Sequence, residues 1–381
     1  MSMADFLPFA RPTIDEDMIA GVADTLRSLW IASGPHVSAF EKHLSAYVGG
    51  RPVITLTSAT AALEVALQLI GAGPGDEIIT PAQNFFAAAN MIKKVGATAV
   101  FVDVELRSRN IDFAAAEAAI TARTKALLPT DFNAPLNATT LAALAKRHDL
   151  RVIQDAALAI GSRRGDHAVG SQGDLIAFSF HPNKNMTTIE GGALVVNSHE
   201  EAARASKLRF HGISRLPDGT RDVDVAGGKF NLSDVSARLG IAQLAQLDTW
   251  CAKRRELAAY YFQCLSNDSM LSDDMLPPRD NPGHSWNMFT LLLPLTQMKI
   301  SRYAFIASMH AAGIGIGVSY EAVHLTSLFR RKGYKEGMFP VSERIARETI
   351  SLPLFPAMTL PDVERTCETL RKLMRADGKQ K

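Results

Sequence analysis

The sequence predicts an α/β fold in which helices cover both faces of a mostly parallel sheet. Between about residues 52 and 200, short apolar runs alternate with alanine-rich stretches of helical periodicity. Such alternation is typical of parallel strands joined by helices. The chain has 381 residues and is 47% hydrophobic, which is enough for a large core and two domains.

Each element of this part follows from a local pattern. Short apolar runs predict buried strands. The strands are expected at residues 53–56, 77–79, 99–102, 126–128, 151–153, 175–180 and 193–196. Alanine-rich stretches between them predict helices, and the clearest of these are 113–122 and 139–148.

Other segments predict turns, a loop and the start of a different region. Residues 71–75 resemble a glycine-rich nucleotide loop, but they follow a helix, which favours a helix stop and a turn. Residues 212–228 are polar and rich in turn residues, which predicts an exposed loop. A long helix is expected over 234–255, and an apolar strand over 288–293.

Charge and cysteine content exclude several classes of function. The formal net charge is +2, so nothing indicates electrostatic capture of nucleic acid or membrane. Cys251, Cys264 and Cys367 are widely spaced and indicate neither a metal site nor a disulfide framework. The N-terminal region does not resemble a signal peptide, and no apolar run reaches the ~20 residues of a membrane span. A cytoplasmic protein is expected.

Lys184 is the first candidate catalytic residue. It lies in the loop between the strands expected at 175–180 and 193–196. A lysine there is partly desolvated, which favours its neutral amine. A neutral amine condenses with an aldehyde to form a Schiff base. The alternative is a solvated surface lysine, so the neighbouring groups must decide.

Asp155 follows the strand expected to begin at residue 151. Binding groups of α/β proteins cluster at the carboxyl ends of strands. A carboxylate in this position can pair with the protonated ring nitrogen of pyridoxal phosphate (PLP), which then acts as an electron sink. A helix N-cap is the simpler interpretation of such an aspartate taken alone.

A candidate phosphate site begins at Ser58, Ala59 and Thr60, between an apolar strand and an apolar helix. Hydroxyl groups and free backbone N–H groups at a helix N-terminus bind phosphate, although an ordinary helix cap gives the same pattern. The hydroxyl of Ser179, five residues before Lys184, could reach the same phosphate.

These pieces occur in an order that resembles the DegT/DnrJ/EryC1/StrS family of PLP-dependent sugar aminotransferases. The family pattern near the lysine is Ser-Phe, three residues, Lys, two residues and then Thr-Gly-Glu-Gly-Gly or a variant of it. The chain fits from Ser179 to Gly192 except at Ile189, where the family usually has glycine. Further resembling segments are 8–12, 30–41, 81–90, 101–112, 208–212, 229–234 and 351–356.

The resemblance implies an aspartate-aminotransferase-like fold, PLP fold type I. A large PLP-binding domain is expected over residues 1–250 and a smaller α+β C-terminal domain over 251–381. The resemblance also implies a homodimer with shared active sites, with the loop at 212–228 near the subunit contact. It implies no metal.

The resemblance also implies a role for each site residue. Lys184 would form the Schiff base with PLP, and Asp155 would hold the ring nitrogen. Phe85 would stack on the ring, although a phenylalanine beside an apolar helix is usually core. Asn231 would reach the phosphate in the neighbouring subunit. The residues expected to hold the phosphate within one subunit are Ser58, Ala59, Thr60 and Ser179.

The chain departs from the family pattern at three places near the expected substrate pocket. Leu158 stands where the family usually has glutamine or histidine, which would contact the phenolic oxygen of the cofactor. Ser319 stands where histidine is frequent. Residues 131–135 replace an aromatic-glycine element. These changes bear on the substrate rather than on the cofactor.

The implied activity is transfer of an amino group from glutamate to a nucleotide-linked keto sugar, for amino-sugar or surface polysaccharide biosynthesis. The segment from His181 to Thr188 resembles relatives that aminate C4, while amination at C3 is the alternative. A PLP-dependent sugar dehydratase is a further alternative, but those relatives lack the lysine. A PLP-binding regulator without turnover is disfavoured because no DNA-reading helix or basic face is recognisable.

Overall fold

The structure is a computed structural model that describes residues 6–266, 268–279 and 281–378. The helices are α1 Glu16–Arg27, α2 Pro35–Tyr47, α3 Ala59–Leu69, α4 Ala87–Lys94, α5 Phe113–Ala118, α6 Ala138–Arg147, α7 His199–Arg209, α8 Asp234–Leu265, α9 Arg302–Ala311, α10 Ser327–Arg330, α11 Pro340–Glu348 and α12 Leu360–Ala376. The strands are β1 Val53–Leu56, β2 Glu77–Pro81, β3 Thr98–Val102, β4 Thr124–Leu127, β5 Arg151–Asp155, β6 Arg163–Arg164, β7 His167–Ala168, β8 Leu175–Ser179, β9 Gly192–Val195, β10 Ile213–Arg215, β11 Arg221–Val223, β12 Phe289–Leu292 and β13 Thr349–Leu352.

The centre of the fold is a seven-stranded sheet in the order β1-β9-β8-β5-β4-β2-β3. Strand β9 runs antiparallel to both of its neighbours, β1 and β8. All pairs from β8 to β3 are parallel. The prediction of a mostly parallel sheet is therefore confirmed, and β9 is the exception to it.

Helices cover both faces of the sheet, because alternate residues of each strand point to opposite sides. Ile54 and Leu56 of β1 belong to the core that contains Leu63 of α3. Val53 of the same strand belongs to the core that contains Phe40 of α2 and part of α8. Both layers are apolar, which explains why the strands read as unbroken hydrophobic runs.

The predicted strands of the sheet agree with the structure to within two residues at either end. The helix expected over 113–122 is shorter, since α5 ends at Ala118. The chain turns there because the buried Glu77 accepts hydrogen bonds from the Thr121 hydroxyl, at 2.6 Å, and from the Arg123 guanidinium. These two contacts with Glu77 hold residues 121–123 away from the axis of α5.

The turn predicted at 71–75 is confirmed. Helix α3 ends at Leu69, and Gly71 and Gly75 follow with φ of 66° and 94°. The loop predicted at 212–228 is wrong in part, because β10 and β11 form an antiparallel hairpin within it. All three side chains of β11 are exposed, so no alternation of burial marked it as a strand.

Helix α8 is longer than predicted and continues through residues 250 and 251, where a domain boundary was expected. It reaches Leu265, because Leu257, Ala258, Tyr261 and Leu265 keep one face buried in a second core. This second core also contains residues of the antiparallel pair β12–β13 and of helices α9 and α12. The division into two domains stays a prediction.

Within the described residues, no helix combines the length and the apolar character that crossing a membrane requires.

Gly192, the first residue of β9, lies against the start of α3. A Cβ atom at this position would lie 2.4 Å from the Ala59 nitrogen and 2.4 Å from the Ser58 carbonyl carbon. We expect Gly192→Ala to lower the free energy of unfolding by about 3 kcal/mol, because backbone rather than a flexible side chain must move. Urea denaturation of the variant gives the measurement.

Gly73→Ala is the matched control, since its Cβ would meet only one backbone oxygen, at 4.0 Å. Its free energy of unfolding should change by less than about 1 kcal/mol. Equal effects of the two substitutions would show that the close approach at Gly192 carries no special cost.

Candidate active site

A cavity of about 290 Å³ lies where the carboxyl ends of β5 and β8 meet the N-terminus of α3. This is the sheet edge at which binding sites of α/β proteins occur. The predicted site residues that line it are Ser58, Ala59, Thr60, Phe85, Asp155, Ser179 and Lys184. Seven predicted residues from four separate segments of the sequence are thus brought to one site, and Asn231 is the predicted residue that does not line it.

Lys184 is held by a tight loop between β8 and β9. Its backbone N–H donates to the His181 carbonyl at 2.8 Å, and the Thr188 N–H donates to the Phe180 carbonyl at 3.0 Å. Burial lowers the pKa of Lys184 to about 8, although the negative charge of Asp155 acts in the opposite direction. The lysine therefore becomes a neutral amine at much lower pH than a solvated one.

Asp155 is the last residue of β5 and is 4% exposed. Burial raises the pKa of its carboxyl group, and the Ala157 N–H, the charge of Lys184 and the Asn84 side chain oppose that rise. The Ala157 N–H donates to Oδ1 at 3.1 Å. Residues 156–162, all of them described, form turns and no α-helix, so the simpler interpretation of Asp155 as a helix cap is wrong.

The N-terminus of α3 offers an anion site to the cavity. Ser58 is its N-cap, and its Oγ accepts from the Ala61 N–H at 3.0 Å. The hydroxyl hydrogen of Ser58 stays available to a ligand. The N–H groups of Ala59 and Thr60 have no partner inside the helix, and the helix dipole favours an anion beside them. Capping and anion binding are therefore compatible here.

Phe85 lies in the cavity wall and not in the core. Its side chain is 51% exposed, and its ring centroid is 5.5 Å from that of Tyr320. Tyr320 lines the cavity as well, although no sequence pattern marked its side chain. An exposed ring at the edge of a polar cavity is available to stack on a flat ligand.

Asn231 lies outside this cavity. Its Oδ1 accepts from the Lys229 ammonium at 2.8 Å, and its backbone pairs with Leu56 next to the start of α3. Within the described residues of one chain it does not line the cavity. Its role in a neighbouring subunit stays a prediction.

Sequence reasoning assigned no individual role to five polar residues of the cavity wall, although the last three lie in the segment around Lys184 that resembles the family pattern: Asn84, Thr130, His181, Asn183 and Glu190. Thr130 follows β4, the parallel neighbour of β5, so the rule on carboxyl ends of strands could have found it. Asn84 immediately precedes Phe85, and the family resemblance implies a role only for Phe85.

The departures from the family pattern have different surroundings. Leu158 is buried, lines the cavity and packs with Phe132, Met288 and Tyr320, so this part of the wall is apolar. Ser319 is buried too, but its hydroxyl bonds to that of Ser351 at 2.9 Å and it does not line the cavity.

Ile189 adopts φ of 72° although it is β-branched. This left-handed conformation costs a residue with a Cβ about 1–2 kcal/mol, which explains why glycine suits the position better. The side chain is 53% exposed, so burial of the isoleucine offsets little of this cost.

The donor groups of the cavity fit PLP. A buried lysine matches its aldehyde, a buried carboxylate its ring nitrogen, and a helix N-terminus with hydroxyl groups its phosphate. Together with the mostly parallel sheet, they define the class: a PLP-dependent enzyme of fold type I. The profile of the DegT/DnrJ/EryC1/StrS aminotransferase family matches residues 12–371, and the chain belongs to that family.

Solved structures of sugar aminotransferases resemble the chain over nearly its whole length. Spr1654 from Streptococcus pneumoniae, assigned as a sugar aminotransferase, is 28% identical with a TM-score of 0.91 over 97% of this chain and 99% of its own. It has been solved in a PLP form and a PMP form. DesV from S. venezuelae, in complex with a ketimine intermediate, is 31% identical with a TM-score of 0.86 over 94% of each chain.

A third similar structure is PseC from Helicobacter pylori, an aminotransferase involved in the biosynthesis of pseudoaminic acid. It is 26% identical with a TM-score of 0.86, and the match covers 97% of this chain and 100% of its own. The enzyme described here is thus a sugar aminotransferase with PLP as its cofactor.

We expect Lys184 of the apoenzyme to react with amine-directed reagents at unusually low pH. Its pKa is lowered to about 8 by burial, so the rate of labelling should be half-maximal near pH 8. Mass spectrometry of the Lys184 peptide across a pH series gives the midpoint.

Asp155→Asn is the control, because it changes the pKa of Lys184 in a direction that can be predicted. The carboxylate raises the pKa of Lys184, so its removal should move the midpoint to lower pH. A midpoint in both proteins near 10.4, the ordinary lysine pKa, would contradict the burial of the amine.

Proposed function

We propose that this enzyme transfers the amino group of glutamate to C4 of a nucleotide-linked keto sugar, as a cytoplasmic homodimer in amino-sugar or surface polysaccharide biosynthesis. The observation that carries the proposal is the loop before Lys184. His181 and Asn183 of that loop line the cavity beside the lysine, so the segment that resembles C4-specific relatives forms a wall of the pocket. A wall in this position bears on which sugar carbon faces the amine.

Lys184 and Asp155 have complementary roles in the proposed reaction. Bound PLP supplies an aldehyde that bonds to amines and a ring that withdraws electrons. The neutral Nζ of Lys184 would act as general base and acid, taking a proton from the carbon that bears the amino group and returning it to the carbon on the other side of that nitrogen. Asp155 keeps a proton on the ring nitrogen, because its charge in a buried site favours a cationic partner.

Five other residues would hold PLP in place. The hydroxyl groups of Ser58, Thr60 and Ser179 and the N–H group of Ala59 would donate to its phosphate. Phe85 would stack on its ring. The close approach of Gly192 to Ser58 and Ala59 supports this assignment, because it packs the lysine loop against the phosphate site.

Asn231 would act on the phosphate in a partner subunit. Residues 29–31 support a subunit contact near it, because Leu29 is 85%, Trp30 61% and Ile31 49% exposed. The Ile31 carbonyl accepts from the Asp234 N–H at 3.2 Å, so this apolar segment lies beside the segment of Asn231. Exposed apolar patches mark interaction surfaces.

The test of regiochemistry is incubation with glutamate and either a 4-keto-6-deoxy or a 3-keto nucleotide sugar. We expect an amino group at C4 in the first mixture, identified by NMR of the product. Lys184→Ala should form no product, because the base is absent. Amination of the 3-keto compound alone would overturn the C4 assignment, and normal turnover by Lys184→Ala would overturn the role of the lysine.

Sharing of the active site is tested by mixing two inactive variants, Lys184→Ala and Asn231→Asp. The second places a negative charge beside the phosphate. In the mixed dimer one site carries both changes and the other carries neither. With free exchange, half of the dimers are mixed, so we expect about a quarter of wild-type activity. No recovery after demonstrated subunit exchange would exclude the role of Asn231 in the partner.

A further inference from the structure

The side chain of Asn84 is a buried polar group of the cavity wall that has no role in the binding of PLP described above. It follows β2, is 2% exposed and lines the cavity between Phe85 and Asp155. A buried amide with four hydrogen-bonding positions is costly unless these positions are used. Its partners therefore indicate its purpose.

The orientation of the Asn84 amide is fixed by its neighbours. Its Oδ1 lies 2.7 Å from the Phe85 backbone nitrogen, which can only donate. Oδ1 is therefore the acceptor, and the Nδ2 amino group faces the other way. There Nδ2 donates to the Thr130 hydroxyl at 2.7 Å, which leaves one hydrogen of Nδ2 for a further acceptor.

The carboxylate of Asp155 lines the same cavity and is the candidate for that further acceptor. Thr130 pairs with Asp155 across the ends of β4 and β5, so the Asn84 amino group lies beside the carboxylate. The Asn84 side chain lowers the pKa of Asp155, against the larger effect of burial. A hydrogen bond to a buried carboxylate stabilises its ionised form.

We propose that Asn84 is a positioning residue that uses one amide to fix both Phe85, through its backbone, and the carboxylate of Asp155. The inference rests on the proposed roles of Phe85 and Asp155 toward PLP. One planar group thus joins the residue that stacks on the cofactor ring to the residue that pairs with the ring nitrogen. Neither can shift without disturbing the other.

Asn84→Asp is the most selective test, because it keeps the size of the side chain and the acceptor for the Phe85 N–H. It removes the donors to Thr130 and Asp155 and adds a like charge beside Asp155. We expect PLP to bind the apoenzyme about 10–100-fold more weakly, which is the effect of losing a hydrogen bond to a charged group. The dissociation constant is obtained by titration of apoenzyme with PLP.

A second readout is the ring-nitrogen resonance of ¹⁵N-labelled PLP bound to the holoenzyme. It reports directly on the proton that Asp155 holds, so a merely structural role of Asn84 would leave it unchanged. We expect the resonance of Asn84→Asp to differ from that of the wild type, because the donor to the Asp155 carboxylate is lost and a charge is added beside it. If this variant does not fold, Asn84→Ala, which also removes the donors, gives the same comparison.

Asn90→Asp is the matched control, because Asn90 is exposed on α4 outside the cavity. PLP affinity and the nitrogen resonance should match wild type in this variant. Equal values for Asn84→Asp, Asn90→Asp and wild type would overturn the inference.

Asp155→Asn separates this inference from the function on which it rests. If Asp155→Asn changes both readouts and Asn84→Asp changes neither, the role of Asn84 alone is wrong. If Asp155→Asn changes neither readout, the role assigned to Asp155 is wrong, and the inference on Asn84 that rests on it is wrong as well.

Discussion

The reversed direction of β9 is the constraint on which the rest of the site depends. Because β9 runs antiparallel between β1 and β8, the connection from β8 returns at the same edge of the sheet. The loop that carries Lys184 is therefore short and remains above the carboxyl ends of β5 and β8. A parallel continuation would have needed a helical crossover, which would have carried this segment to the opposite end of the sheet.

Burial sets the chemistry of the groups assembled at that edge. It lowers the pKa of Lys184 and raises that of Asp155, so each group is moved toward its neutral form. Their attraction for each other opposes both shifts. A further buried acid, Asp131, is paired with Arg164 at 3.0 Å, which limits its repulsion of Asp155. The balance leaves a lysine that loses its proton easily beside a carboxyl group whose pKa stays above its ordinary value.

The sequence predicted the parts of the site that depend on local patterns. Lys184, Asp155 and the start of α3 could be found because each directly follows or precedes an apolar strand. Thr130 follows β4 and could have been found in the same way, but the sequence does not show that Asn84 and Thr130 lie beside Asp155. Their proximity to Asp155 requires β4 to lie between β2 and β5, an order that local periodicity does not contain. Tyr320 reaches the cavity from a segment more than 100 residues away.

The length of α8 could not be predicted for a related reason. The expected helix ended at Arg255, but α8 continues to Leu265, and the Arg254 guanidinium is buried and donates to the Leu354 carbonyl at 2.6 Å. A buried charge with tertiary partners looks the same in sequence as a solvated one. Asn231 is a different case, because the site to which it was assigned lies in a second copy of the chain.

Helix α8 also has a mechanical consequence. Its 32 residues form a rod of about 48 Å. Near one end Gln243 accepts from the Thr187 N–H of the lysine loop at 3.1 Å, and the other end lies in the C-terminal core. The lysine loop and the C-terminal core therefore both contact one continuous helix. A ligand that tightens the lysine loop accordingly protects the distant C-terminal core from unfolding, by mass action on the folded state as a whole.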